Sequence, residues 1–87
     1  MAGLIGSGYK NKGGFTDAND CETYGYYYQN VEEANNTPST NRMYSTIIVL
    51  RTAWAVMQFY LHIDNGSVHL RYKDNQGKWS IWKQLMP

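Results

Sequence analysis

The chain has 87 residues, with 8 Lys and Arg against 7 Asp and Glu, and a formal net charge of +1. So even a balance excludes a dedicated nucleic-acid binder, which carries a basic patch or a high pI. A chain of this length makes one domain that buries roughly 60% of its unfolded surface, so it is marginal alone and oligomerisation is a common remedy.

Charged residues are sparse at 17%, while aromatics reach 15%, with eight Tyr and three Trp. This polar-uncharged and aromatic balance suits β surfaces that meet uncharged polar ligands such as glycans. The single cysteine, Cys21, rules out an intrachain disulfide and reads as a small, partly buried thiol. The N-terminus lacks a basic stretch followed by an apolar one, so no secretory signal is expected. The window from Tyr44 to Leu61 is apolar but carries Arg51 and Gln58, which argues against a membrane helix.

Residues 1–14 hold Gly3, Gly6, Gly8, Gly13 and Gly14. They read as a flexible lead or the end of a preceding shaft, with the domain proper over 15–87. Asp17-Ala18-Asn19-Asp20 reads as a turn, and Tyr24 to Gln29 as a strand, because consecutive tyrosines favour a pleated surface. Residues 32–41 have loop composition, and a loop that long in a small domain suggests function. Met43 to Leu50 reads as the next strand, Arg51-Thr52-Ala53 as a tight connection, and Trp54 to Ile63 as a third strand. A helix over 43–61 is disfavoured by Ile47-Ile48-Val49.

Asn65-Gly66 between alternating residues is a strong hairpin signal, since a type I′ turn needs φ > 0 at both central positions. A two-residue turn there sets His62 opposite His69, Leu61 opposite Leu70 and Tyr60 opposite Arg71. One face then carries Phe59, Leu61, Ile63, Val68, Leu70 and Tyr72. The other carries Tyr60, His62, Asp64, Ser67, His69, Arg71 and Lys73. A one-residue slip would destroy that separation. A four-residue turn at Asp74-Asn75-Gln76-Gly77 leads into Lys78–Leu85, with Trp79 and Ile81 on the apolar face and Trp82 on the polar one. The expected fold is all-β, a small antiparallel meander of about five strands forming a knob.

Enzymatic signals are thin. No Gly-x-Ser-x-Gly, P-loop or Cys/His metal spacing occurs. Gly3 to Gly8 has the glycines of a dinucleotide loop without the strand before it or the helix after it. The acid pairs Asp17/Asp20 and Glu32/Glu33 are neighbours on loops, whereas glycoside hydrolysis needs two carboxyls facing across a cleft. No enzyme and no cofactor is expected. His62 and His69 with Asp64 nearby could approach one metal ion, but imidazoles at the surface are the plainer expectation, and no metal site is assigned. The sequons at Asn35 and Asn65 read as chance.

The polar hairpin face is the candidate site. Tyr60, His62, His69, Arg71 and Trp82 would set aromatic rings among hydrogen-bond donors, as a saccharide requires. Asn35, Asn36 and Asn41 of the long loop stand behind them.

Taken in order, several pieces resemble the pyocin-knob family of phage and pyocin tail fibres. They are the Asp/Asn turn 17–20, Gly25-Tyr26-Tyr27-Tyr28, a loop with Pro38, Ile47-Ile48-Val49-Leu50, Met57-Gln58-Phe59-Tyr60, Arg71-Tyr72, and the closing Trp79-Ser80-Ile81-Trp82-Lys83. The resemblance covers about Phe15 to Met86. It implies a homotrimeric fibre tip on the virion that contacts host-surface polysaccharide or lipopolysaccharide, with neither nucleic acid nor membrane insertion. It supplies no catalytic residues, so the binding residues above come from the reading of the faces. The Asn-rich loop 30–42 and the segment 1–14 depart from the family pattern. A structural cap that registers three chains without binding a ligand is the alternative expectation.

Overall fold

The structure, a computed structural model, describes residues 10–39 and 41–86. It is all-β, a single sheet of six strands laid side by side in chain order. These are β1 (Asn11–Phe15), β2 (Gly25–Gln29), β3 (Thr46–Arg51), β4 (Val56–Leu61), β5 (Val68–Lys73) and β6 (Lys83–Met86). From β2 to β6 every pairing is antiparallel, whereas β1 lies parallel to β2. No helix among the described residues is long and apolar enough to cross a membrane.

The meander is therefore as expected, with one strand more. β1 takes Asn11–Gly14 out of the stretch that composition marks as a lead, while Gly3, Gly6 and Gly8 lie outside the described residues. Its ladder is interrupted between Asn11 and Gly14, where Gly13 has φ +97°. Only a residue without a Cβ takes that conformation at little cost. Residues 16–24 carry the chain from β1 back to β2 and contain one 3₁₀ turn, Ala18–Asp20, whose first N–H groups are capped by Asp17: its Oδ1 accepts from the Asn19 N–H at 2.9 Å.

The sheet has one covered and one open face. Segments 16–24, 31–39 and 41–45 lie over the covered face, enclosing Phe15, Ala18, Cys21, Tyr27, Ile47, Val49, Val56 and Tyr60, with Ala34, Trp79 and Trp82 packed at the margin. These covering segments are largely coil. Coil backbone presents N–H and C=O groups that no ladder satisfies, and buried ones must find partners. The covered face supplies them. Gln58 Nε2 donates to the carbonyls of Ala18 (2.6 Å) and Cys21 (2.8 Å). Gln29 Nε2 donates to Val31 O at 2.8 Å, and Tyr60 Oη accepts from the Arg42 N–H at 2.9 Å.

This reverses the expected sense of the two faces. Alternation separates them correctly, but the polar set is inside and the apolar set, including Ile48, Leu50, Met57, Phe59, Leu61, Leu70 and Tyr72, is the one left partly or fully exposed.

Two registers also differ from expectation. In the β4–β5 hairpin, Tyr60 faces His69 and Leu61 faces Val68. The loop is four residues, Ile63 to Gly66, closed by His62 N–H to Ser67 O and Gly66 N–H to His62 O, both 2.9 Å. A shift of two residues leaves every side chain on its face, so alternation could not detect it. In the β5–β6 turn Lys73 faces Trp79 instead of Lys78. That odd shift carries Trp79 to the covered face. The ladder then slips again before Leu70 meets Lys83, which lets Trp82 lie on the same side.

Candidate functional site

The residues expected to form an open glycan-binding face fall into three groups. Tyr60, His62 and Arg71 are buried, at 0%, 7% and 5% exposure. His69 and Trp82 are half-buried, as is Asn41, while Asn35 and Asn36 are exposed. Tyr60, Arg71 and Trp82 do come together, but with Tyr60 and Arg71 buried and Trp82 at the margin of the core. The expectation that they face solvent is corrected for the reason given above: they satisfy the coil that covers them.

Arg71 is the centre of this network. Its Nε donates to Gln58 Oε1 and its Nη2 to Asn19 Oδ1, both at 2.7 Å. Its guanidinium carbon lies 3.9 Å from the Trp79 ring centroid and 4.8 Å from that of Trp82. Arginine suits this position because its weakly hydrated planar head stacks on indoles and forks to two acceptors. Burial pushes its pKa down to about 10, with Asp17 opposing the shift.

Tyr60 links the second half of the network. Its hydroxyl donates to Gln29 Oε1 at 2.6 Å, and its ring meets Trp82 edge to face at 6.0 Å. Burial raises its pKa. Trp82 Nε1 donates to Asn36 O at 2.9 Å, which ties the last strand to the Asn-rich loop. Asn41 is structural as well: its Oδ1 accepts from Gln29 Nε2 and the Ala34 N–H at 2.8 and 3.0 Å. Asn36 donates to Asp17 Oδ1 at 2.9 Å, and the backbone of Asn35 bridges to the crossover at Asp17.

The histidines do not oppose one another, since His69 pairs with Tyr60. His69 has its pKa lowered by burial and then by His62, and its buried Nδ1 has no hydrogen-bond partner. Among the described residues no three His, Cys, Asp or Glu side chains gather as a metal would need. Cys21 is buried, and burial followed by Asp20 pushes its thiol up to about 12, far from a reactive thiolate.

What remains available to a partner is the open sheet face. Across β2 to β5 it carries Tyr26, Tyr28, Thr46, Ile48, Leu50, Met57, Phe59, Leu61, Val68, Leu70 and Tyr72, none of them charged. No protein-family model, curated protein or solved structure matches the chain.

Proposed function

We propose that the chain is a pyocin-knob-like domain at the tip of a phage-type tail fibre, assembled as a homotrimer and attaching to a bacterial surface glycan. One observation carries the reading: the apolar sheet face of β2 to β5, whose side chains on those strands are uncharged and partly or fully exposed. Strands about 4.8 Å apart and about 20 Å long give the six-stranded face an area on the order of 500 Å² in projection. The largest apolar patch on a typical monomer is roughly 300–600 Å² and is often functional. The face approaches the roughly 800 Å² per partner of a standard interface. Its one charge is Lys83, paired with Leu70 at the β6 edge, and three copies of the apolar area over β2 to β5 can meet about a threefold axis. Three linked knobs would turn weak single-site attachment into firm adhesion.

The burial of Tyr60, His62 and Arg71 favours a second reading, a structural cap that registers three chains and binds nothing. In that form too the contact surface is the apolar face and not the polar one. Light scattering combined with a glycan array of lipopolysaccharides and wall polysaccharides separates the readings. A trimer that binds a defined saccharide supports adhesion. A trimer that binds nothing supports the cap. A protein that stays monomeric at high concentration overturns both.

A further inference from the structure

Resting on the adhesion reading, we infer that the saccharide site is a polar cleft at one end of the sheet, under the exposed indole of Trp54. The strand expected from Trp54 to Ile63 begins only at Val56, so Trp54 is not its first residue. It lies instead at the tip of the β3–β4 turn and is 73% exposed. The turn that presents it is fixed: Thr52 Oγ1 accepts from the N–H groups of Trp54 and Ala55, both at 3.1 Å, and the Thr52 N–H donates to Ala55 O at 2.9 Å.

Beside this indole is a cleft of about 280 Å³. Its floor is one row across three strands, since Arg51 pairs with Val56 and Val56 with Lys73. Glu22 of the crossover forms one wall and the turn that begins at Asp74 another. The polar groups are held in place. Lys73 Nζ is ion-paired to the Glu22 carboxylate, and Arg51 Nη1 donates to Glu22 O at 3.0 Å. Asp74 Oδ1 accepts from the N–H groups of Gln76 (2.9 Å) and Lys78 (3.0 Å).

This chemistry selects its ligand class. Two carboxylates and two cations cancel, so the cleft neither concentrates phosphate nor gathers the acids a metal needs. Fixed donors alternating with fixed acceptors suit hydroxyl groups, which do both. An exposed indole at the rim suits the CH face of a sugar ring. Sugar hydroxyls can replace the hydrogen bonds that such polar groups otherwise make to water. Arg51, Val56 and Lys73 share the covered side of the sheet, so assembly through the open face leaves the cleft accessible.

The test compares wild type, Trp54→Phe and Trp54→Ala on the same array of bacterial polysaccharides, with mass by light scattering and melting temperature measured for each. The expected result is unchanged mass and melting, with binding reduced stepwise and lost by about tenfold or more in the alanine variant. If wild type binds a saccharide and Trp54→Ala binds it equally, the cleft assignment is overturned while adhesion stands. If Trp54→Ala loses trimer mass, the indole is an interface residue and the assignment fails. If wild type binds nothing, adhesion fails and the cleft assignment falls with it.

Discussion

Gln58 and Arg71 stand directly opposite one another on β4 and β5, joined by an Arg71 Nε to Gln58 Oε1 hydrogen bond of 2.7 Å beneath the coil that covers the sheet. The pair links the sheet to both ends of the 3₁₀ turn, Gln58 through Ala18 O and Cys21 O and Arg71 through Asn19. Its removal should therefore loosen the whole cover.

Arg71→Ala leaves Gln58 Oε1 without its charged donor, breaks the Asn19 bond and removes the stacking partner of both indoles. A hydrogen bond to a charged group contributes about 1.5–3 kcal/mol, so the variant should lose roughly 3 kcal/mol in urea unfolding. Arg71→Lys should recover little, because an ammonium cannot fork to Gln58 and Asn19 and stack as well. An alanine variant of undiminished stability that has lost saccharide binding would return Arg71 to the role of ligand residue.

The reach of the sequence is clear at these positions. Alternation over Phe59–Tyr72 is an intrinsic property of a strand, so the two faces were legible. Which face lies inside was not, because it depends on the cover. A sheet covered by another sheet buries apolar residues, whereas one covered by coil buries Gln29, Gln58, Tyr60 and Arg71 to satisfy backbone. β1 escaped notice because Asn11–Phe15 has almost no apolar pattern and is held by backbone pairing to β2. The Asn65-Gly66 signal located the hairpin, but turn length sets register, and a slip of two is silent to periodicity. The candidate site was legible only as a cluster: Tyr60, Arg71 and Trp82 do meet, the first two buried and Trp82 at the margin of the core. Trp54 gave no signal, since exposure of a turn residue has no sequence period.

Stability should fall in alkali. Burial raises the pKa of Cys21 from its ordinary 9.0 to about 12, and that of Tyr60 upward as well. A raised folded-state pKa means that the folded protein holds the proton more tightly. Its contribution is complete below the unfolded value of 9.0 and is lost as pH rises through about 12. Urea midpoints should be flat from about pH 7 to 8.5 and fall steeply above pH 9. Cys21→Ala should lower the midpoint at neutral pH and flatten the alkaline limb. An equal slope in that variant would remove Cys21 from the account.

Gly25 is required by the β1–β2 contact. It has φ +149°, and a Cβ there would lie 2.6 Å from the carbonyl oxygen of Lys10, the group that accepts from the Tyr26 N–H. Gly25→Ala should destabilise by at least about 2 kcal/mol through strain and the loss of that bond. Amide exchange should show the loss concentrated at Tyr26 and the rest of the β1–β2 ladder. Protection unchanged there would mean that β1 contributes little to the fold.

The open face makes the sharpest prediction for assembly. Phe59 lies on β4, a central strand, with Ile48 and Leu70 opposite it on the two sides. A lysine at this position would meet no partner charge from a neighbouring copy, and burying it unpaired costs several kcal/mol. Its long stem can still lie across the apolar surface of an isolated knob with its ammonium in water. If the knobs assemble through this face as proposed, Phe59→Lys should give a monomer by light scattering while far-UV circular dichroism retains the β signature. Glycan capture on a multivalent surface should fall with it, because linked sites no longer act together, whereas affinity for a monovalent saccharide in solution should be unchanged. If Phe59→Lys leaves the wild-type mass unchanged, the open face is not the contact between copies, and the edges of β1 and β6 become the contacts to test next.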